Sequence, residues 1–338
     1  MAKLNKLNPP IPNIVVIGGG TGSFTVLSSL KTVSDITALV NMVDDGGSTG
    51  ELRDQFGVLP TGDVRQCLVA LSSSNELREV FNYRFPKGSD FSGHNFGNLF
   101  LTALSNLSNG DFAEAIANAS KILNIKGKVI PVTLDDRRLV IQTTDGIILK
   151  GEHNIGKMNM PSLKGATIRY DEPTKLNPAA AKAIKNANIV VIAPGDLYTS
   201  IGPTLAVKGL SESIKKTHAK VIYICNLVNK PRHTNGFKVE DYASEIERII
   251  GSRVLDYVIY NTETPTPEVL EKYLKDKEIP VEYDYEILKK KHYTAIAGEF
   301  LSKSNILKRD INDPIKDRSL IRHDQDAICR SVMKIYWD

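Results

Sequence analysis

Near its start the chain carries a short apolar run, "NIVVIGGG" at 13 to 20, that passes straight into a glycine turn and then into "SFTVLSSLK", apolar at helical spacing. A run of this form reads as strand, turn and helix. A second run, "ITALVNMVDDGG" at 36 to 47, is apolar at successive positions, the mark of a strand covered on both faces in a parallel sheet. Two such strands joined by a helix make a right-handed βαβ unit. "ANIVVIAPGDL" at 187 to 197, "AKVIYICNLV" at 219 to 228 and "LDYVIYN" at 255 to 261 repeat the form. From 71 to 123 the spacing is helical, with "FGNLFLTALSNL" and "FAEAIANASKIL" each apolar at intervals of three and four. Between 129 and 172 β-branched alternation surrounds Asp145-Gly146, the strongest short hairpin signal in the chain.

The pattern predicts an α/β fold: a Rossmann-like, mostly parallel sheet with helices on both faces and an antiparallel hairpin insertion. It is read as one domain over 1–338, with a nucleotide-binding core at 13–128 and 187–261, the insertion at 129–172 and a closing segment at 262–338. No linker is long enough to force a second domain.

Composition narrows the functional classes. The 338 residues are 41% hydrophobic and 24% charged, ordinary for a globular protein that needs no staples. Against 39 acidic residues stand 43 basic ones, a net charge of +4, so charge gives no reason to expect nucleic acid. Lys289, Lys290 and Lys291 read as a solvated helix face. Cys67, Cys225 and Cys329 sit in apolar runs and suggest buried thiols, with no disulfide or zinc framework. "MAKLNKLNPPIPN" lacks the apolar core of a signal peptide and no run approaches a membrane span. These features predict a cytoplasmic protein with no membrane partner, and they leave a homodimer open.

In an open α/β sheet, ligands bind beyond the carboxyl ends of the strands, where four loops are informative. The first, "GGGTGS", offers Gly19, Gly20, Thr21 and Gly22 for close approach to a phosphate, although the dinucleotide fingerprint asks for glycine at Ser23. A glycine turn without a ligand is the alternative. The second, "MVDDGGSTG", places Asp44 and Asp45 before Gly46, Gly47 and Ser48. A ribose-binding acid is normally single; two carboxylates beside amides and hydroxyls suit Mg²⁺ or a sugar hydroxyl next to a diphosphate. A plain turn or cap at Asp45 remains open. Asp63 and Arg65 repeat the Gly-Asp theme and are expected to close the pocket.

The third loop, "SGHNFGN", supplies His94, Asn95 and Asn98 at a helix start, as a cap or as a polar wall. The fourth, "APGDLYTSIGPTL", offers Gly195, Asp196, Leu197, Tyr198, Thr199 and Ser200, and the next strand end adds Asn226. Four such loops at one sheet edge point to an extended anionic ligand, a nucleotide or nucleotide sugar. There is no Walker lysine motif, G-x-S-x-G elbow or H-E-x-x-H helix, and no nucleophile or general base can be singled out. An NAD-binding oxidoreductase is a further alternative on fold analogy alone.

From "GGGTG" through "DDGGSTGELRDQFGVLPTGDVRQCLVAL", "YRF", "GHNFGN", "GDFAEAI", "PGDLYTSI" and "CNL" to "RHD" at 322 to 324, the chain resembles the CofD/YvcK family almost end to end. That family contains YvcK-like gluconeogenesis factors and the 2-phospho-L-lactate transferase of deazaflavin cofactor synthesis. "LPTGDVRQCL", in place of the transferase's Ser-Pro-Asp-Leu-Asp type of segment, is similar to the YvcK branch. The resemblance implies binding of a UDP-sugar, notably UDP-N-acetylglucosamine, and a part in cell shape and growth on gluconeogenic carbon sources. The transferase reading implies Mg²⁺ at Asp44 and Asp45 and a nucleotide donor. Tyr273 in "LEKYL" and Arg322 in "IRHD" match positions linked to UDP-sugar binding, Tyr273 to stack on the base and Arg322 to pair with the diphosphate. The chain departs from the pattern at Asp196, where an uncharged hydroxyl is usual, and at "NKPRHTNGF", where "TQPGET" is usual. Its segment 288–318 is longer than usual. An extra carboxylate near a diphosphate weakens binding unless a metal or basic group offsets it.

Overall fold

The continuous apolar runs become the centre of a seven-stranded parallel sheet in the computed structural model, which describes residues 10–157, 162–303 and 320–338. Part of the long 288–318 segment lies outside the described residues, as does most of the N-terminal stretch. In chain order the strands are β1 (Asn13–Gly18), β2 (Asp35–Val40), β3 (Lys128–Pro131), β4 (Leu139–Gln142), β5 (Ile148–Lys150), β6 (Thr167–Tyr170), β7 (Ile189–Ile192), β8 (Lys220–Ile224), β9 (Tyr257–Asn261) and β10 (Thr294–Gly298). The main sheet runs β10-β9-β8-β7-β1-β2-β3, all neighbours parallel. In β1, β2 and β8 all but the first residue are buried, as are all four residues of β7. Both faces are therefore covered, which is why these strands read as unbroken apolar runs. The edge strand β10 has no fully buried residue and gives no such signal.

The helices that matter to the site are α1 (Gly20–Leu30), α2 (Gly47–Phe56), α3 (Gly62–Leu71), α4 (Asn75–Asn82), α5 (Phe96–Leu107), α6 (Phe112–Ile122) and α7 (Glu152–Lys157). α1 packs on α3 and on the C-terminal helix Gln325–Trp337, whereas the helix Pro178–Lys185 packs on Leu210–Lys215. The chain winds outward from β1 to β3 and then restarts on the other side of β1 with β7. That reversal places the two sets of right-handed crossovers on opposite faces and opens a crevice between the carboxyl ends of β1 and β7.

The hairpin at Asp145-Gly146 is present, with β4 antiparallel to β5. Its boundaries differ from the sequence reading in two ways. The run at 129–131 pairs with β2 as the edge of the main sheet, since it is apolar and follows a helix that packs beneath it. β6 also joins β4, so the insertion is a three-stranded sheet, not a hairpin alone. Among the described residues no helix is long and apolar enough to cross a membrane.

Candidate functional site at the sheet's switch point

Gly19 caps α1 in an extended conformation, and the helix start lies hard against the β7 loop. A Cβ built on Gly22 would sit 1.8 Å from the Pro194 carbonyl oxygen, so only glycine lets the two loops touch. Gly22→Ala is expected to destabilise the protein by about 2–4 kcal/mol, because backbone on both sides must move; a midpoint in urea denaturation equal to that of the parent would contradict this.

Thr21, Gly22, Thr25, Pro194, Gly195, Asn226, Leu227, Val228, Ile321, Arg322 and His323 line a cavity of about 160 Å³ at this point. The cavity is small and opens onto the crevice. Asn226 uses its side chain on the loop itself: Oδ1 accepts from Gly195 N at 3.1 Å and Nδ2 donates to Gly195 O at 2.7 Å. It fixes the loop. His323 places Nε2 3.0 Å from the Cys225 carbonyl. Burial pushes its imidazole down to about 4, the carbonyl contact opposing, so at pH 7 it is neutral, with Nε2–H as the donor.

Arg322 is brought to this cavity by Tyr273. The Tyr273 hydroxyl accepts from Leu320 N at 2.8 Å and from Ile321 N at 3.0 Å, and its ring packs with Leu227, Val269 and Ile321. The expected stacking on a base therefore gives way to a grip on the backbone before Arg322. Tyr273→Phe keeps the ring and removes that grip. It is expected to weaken binding of a nucleotide sugar by about 5- to 10-fold, the worth of a neutral hydrogen bond or two, with unchanged affinity as the contrary result.

The β7 loop turns into a π-helix, Leu197–Ile201, capped by Asp196, whose Oδ1 accepts from the Tyr198 and Thr199 amides. The other side of that carboxylate meets Lys230 Nζ at 2.5 Å and His233 Nδ1 at 2.8 Å. Burial would raise the Asp196 carboxyl, but the His233 and Lys230 contacts prevail and hold it far below the usual carboxylate range. The extra negative charge is thus neutralised by the same "NKPRHTNGF" segment that departs from the family pattern. Tyr198 is fully buried and its hydroxyl donates to Glu245 at 2.8 Å. Leu197 and Thr199 are also buried and Ser200 is partly buried, so of this loop Pro194 and Gly195 alone line the cavity.

The paired aspartates part company. Asp45 turns to the insertion: Oδ1 accepts from His153 N at 2.7 Å, and Oδ2 lies 3.6 Å from Arg138. Asp44 turns toward α3, accepting from Gly46 N at 3.1 Å and from Thr49. Gly47, with φ +44, starts α2 beyond it. Asp63 occupies the glycine loop: a Cβ on Gly19 would lie 2.0 Å from its Oδ2, and it accepts from the Gly20 amide and the Asn41 side chain. An amide expected to cradle phosphate is already held by a carboxylate. Buried Asn41 Oδ1 has no hydrogen-bond partner, and a protonated Asp63 would be a donor beside it.

Burial and the neighbouring Asp44 push the Asp63 carboxyl up to about 7. Asp44 is likewise raised, by burial first and then by Asp45, against hydrogen bonds from Gly46 and Thr49. Glu152, at the start of α7, is raised to about 8 by burial and by Asp44, Asp45, Asp196 and Asp63 together. Nothing in sequence spacing placed Glu152, Lys230 or His233 here; each arrives by a long-range contact. Among the described residues no three His, Cys, Asp or Glu side chains already stand at metal-binding geometry. The hard oxygen donors of Asp44, Asp63 and Glu152, each raised first by burial and then by neighbouring carboxylates, are of the type Mg²⁺ takes, whereas Asp45 is committed to the insertion.

Ser48, His94, Asn95, Asn98 and Arg65 form one polar network beside α2. Asn95 caps α5, accepting from Gly97 N at 2.9 Å. Arg65 is buried, donating to Asn98 Oδ1 at 3.1 Å and Asn82 Oδ1 at 2.6 Å, and so orders this network.

A family profile described as 2-phospho-L-lactate transferase CofD matches residues 14–301. A protein from Thermotoga maritima is 40% identical over 325 residues, 95% of this chain and 98% of its own. The gluconeogenesis factor of Bacillus subtilis is 36% identical over 302 residues, 88% of this chain and 94% of its own. A crystal structure of a Bacillus halodurans protein superposes with a TM-score of 0.87 at 36% identity, over 96% of this chain and all of that one.

Proposed function

The chain belongs to the CofD family, and on that premise we propose that it is a cytoplasmic regulatory protein that binds UDP-N-acetylglucosamine. A relative is named a gluconeogenesis factor, and in this reading the chain serves growth on gluconeogenic carbon sources and cell shape. One observation carries the reading: the switch-point cavity joins a glycine helix start, the clamped Gly195 loop and Arg322, a cation and backbone arranged for a diphosphate. Neutral His323 adds a hydrogen-bonding group on the same wall. Calorimetric titration of the full chain with UDP-N-acetylglucosamine should give saturable one-site binding. Heat no different from dilution would end this reading.

The acidic side favours a second reading, a CofD-like transferase. Asp44, Asp63 and Glu152 would hold Mg²⁺, which supplies charge neutralisation to a transferring phosphate-bearing group. The protein's own part would be to supply those three carboxylates, which among the described residues do not yet stand at metal-binding geometry. Formation of a Mg²⁺-dependent product from a nucleotidyl donor and a deazaflavin acceptor supports it, and absence of deazaflavin binding counts against it.

A further inference from the structure

α2 carries Ser48 in its first turn, where helix-end amides and the macrodipole favour a developing negative charge. Ser48 Oγ lies 3.0 Å from His94 Nδ1, and the opposite nitrogen, Nε2, lies 3.3 Å from Glu51 Oε2. Asn98 Nδ2 donates to Ser48 Oγ at 3.3 Å, and Asn98 is oriented because its Oδ1 accepts from Arg65 Nε at 3.1 Å. In the tautomer that carries its hydrogen on Nε2, these contacts run in one direction. Asn98 presents its amide hydrogen to Ser48, which leaves the hydroxyl hydrogen for His94. With the Nε2 hydrogen facing Glu51 at ion-pair distance, Nδ1 is the acceptor. Hydroxyl, imidazole and carboxylate in this order are what activates a serine on unrelated folds. Binding of a nucleotide sugar at the switch-point cavity makes no use of them.

We propose that Ser48 is a nucleophile, with His94 as its general base and Glu51 as the group that orients the imidazole, and that it accepts a phosphoryl group from a phosphoester. The Ser48 Oγ–P bond forms and the ester P–O bond breaks. The hydroxyl proton passes to His94 Nδ1 and from there to the departing oxygen. Water, deprotonated by the same imidazole, then hydrolyses the phosphoserine and frees Ser48. The phosphorus class of the substrate rests on the nucleotide reading above; the nucleophile rests on side-chain geometry alone.

A fluorophosphonate probe, which forms the same Oγ–P bond with loss of fluoride, tests the nucleophile in the full chain without a natural substrate. Mass spectrometry should find one adduct, on Ser48, absent from Ser48→Ala. His94→Ala should slow labelling at least ~100-fold, the worth of a general base, and added imidazole should restore part of the rate, which a merely structural role would not produce. Should that variant fail to fold, wild-type protein still decides the matter: labelling of Ser48 in the native chain must exceed that in the urea-unfolded chain. No adduct on Ser48, equal rates in native and unfolded chain, or equal rates in wild type and folded His94→Ala would each overturn the proposal. Loss of UDP-N-acetylglucosamine binding alongside intact labelling would refute the nucleotide reading and leave the nucleophile standing.

Discussion

Arg322→Ala is expected to weaken binding of UDP-N-acetylglucosamine by about 30- to 100-fold in calorimetric titration, the equivalent of about 2–3 kcal/mol for a charge-assisted contact to phosphate. Arg322 lines the switch-point cavity together with the Gly22 and Gly195 backbone. Partial burial pulls its guanidinium down from its ordinary value, with Tyr273 opposing, but an arginine stays charged at any working pH. Its contribution to a dianionic ligand is therefore electrostatic and geometric at once. Arg322→Lys restores the charge without the planar fork and should recover only part of the loss, leaving binding weaker by about 10-fold. Thermal midpoints of the variants should stay near that of the parent, since the side chain is partly exposed. A change in affinity below about threefold would remove Arg322 from the site.

Without divalent cation, stability is expected to fall by about 1–3 kcal/mol as pH rises from roughly 5 to 9, measured by urea denaturation. Asp63 is raised to about 7 and Glu152 to about 8, above the ~4 of carboxyls in the unfolded chain. The folded state therefore holds these protons more tightly than the unfolded one. The stability they confer is full below the unfolded value and is lost as pH rises through about 7 and then about 8. Asp196 has the opposite sign, because its folded value is depressed. Its contribution is present above the unfolded value and disappears only in acid, so it does not compete in this window. Asp63→Asn should flatten the alkaline limb, and Mg²⁺ should restore stability at pH 9 in the parent more than in the variant. Stability that is level from pH 5 to 9 would mean that the carboxylates are relieved by some other means.

The sequence made the centre of the sheet legible because strands buried on both faces have no polar positions to confuse the pattern. β1, β2, β7, β8 and β9 are all visible as apolar runs, and Asp145-Gly146 marks its turn. β10 was not visible, since an edge strand with partly exposed residues carries no such run. β6 was missed because its pairing with β4 depends on a contact across the insertion. The glycine loops were found, but not their relation to Asp63, since a carboxylate filling a glycine cradle is a packing fact. The extra charge of Asp196 read as a liability because Lys230 and His233 lie 34 and 37 residues further on. Asp44 and Asp45 looked alike as letters and differ only by the direction each takes.

That divergence has a consequence for how the protein can vary. Asp45 fastens the insertion through the His153 amide at the start of α7, while Asp44 turns the other way, toward Gly62 at the start of α3. One dipeptide thereby ties the insertion to the loop that starts α2. A different insertion fastened at the same residue would present a different group where Glu152 now stands.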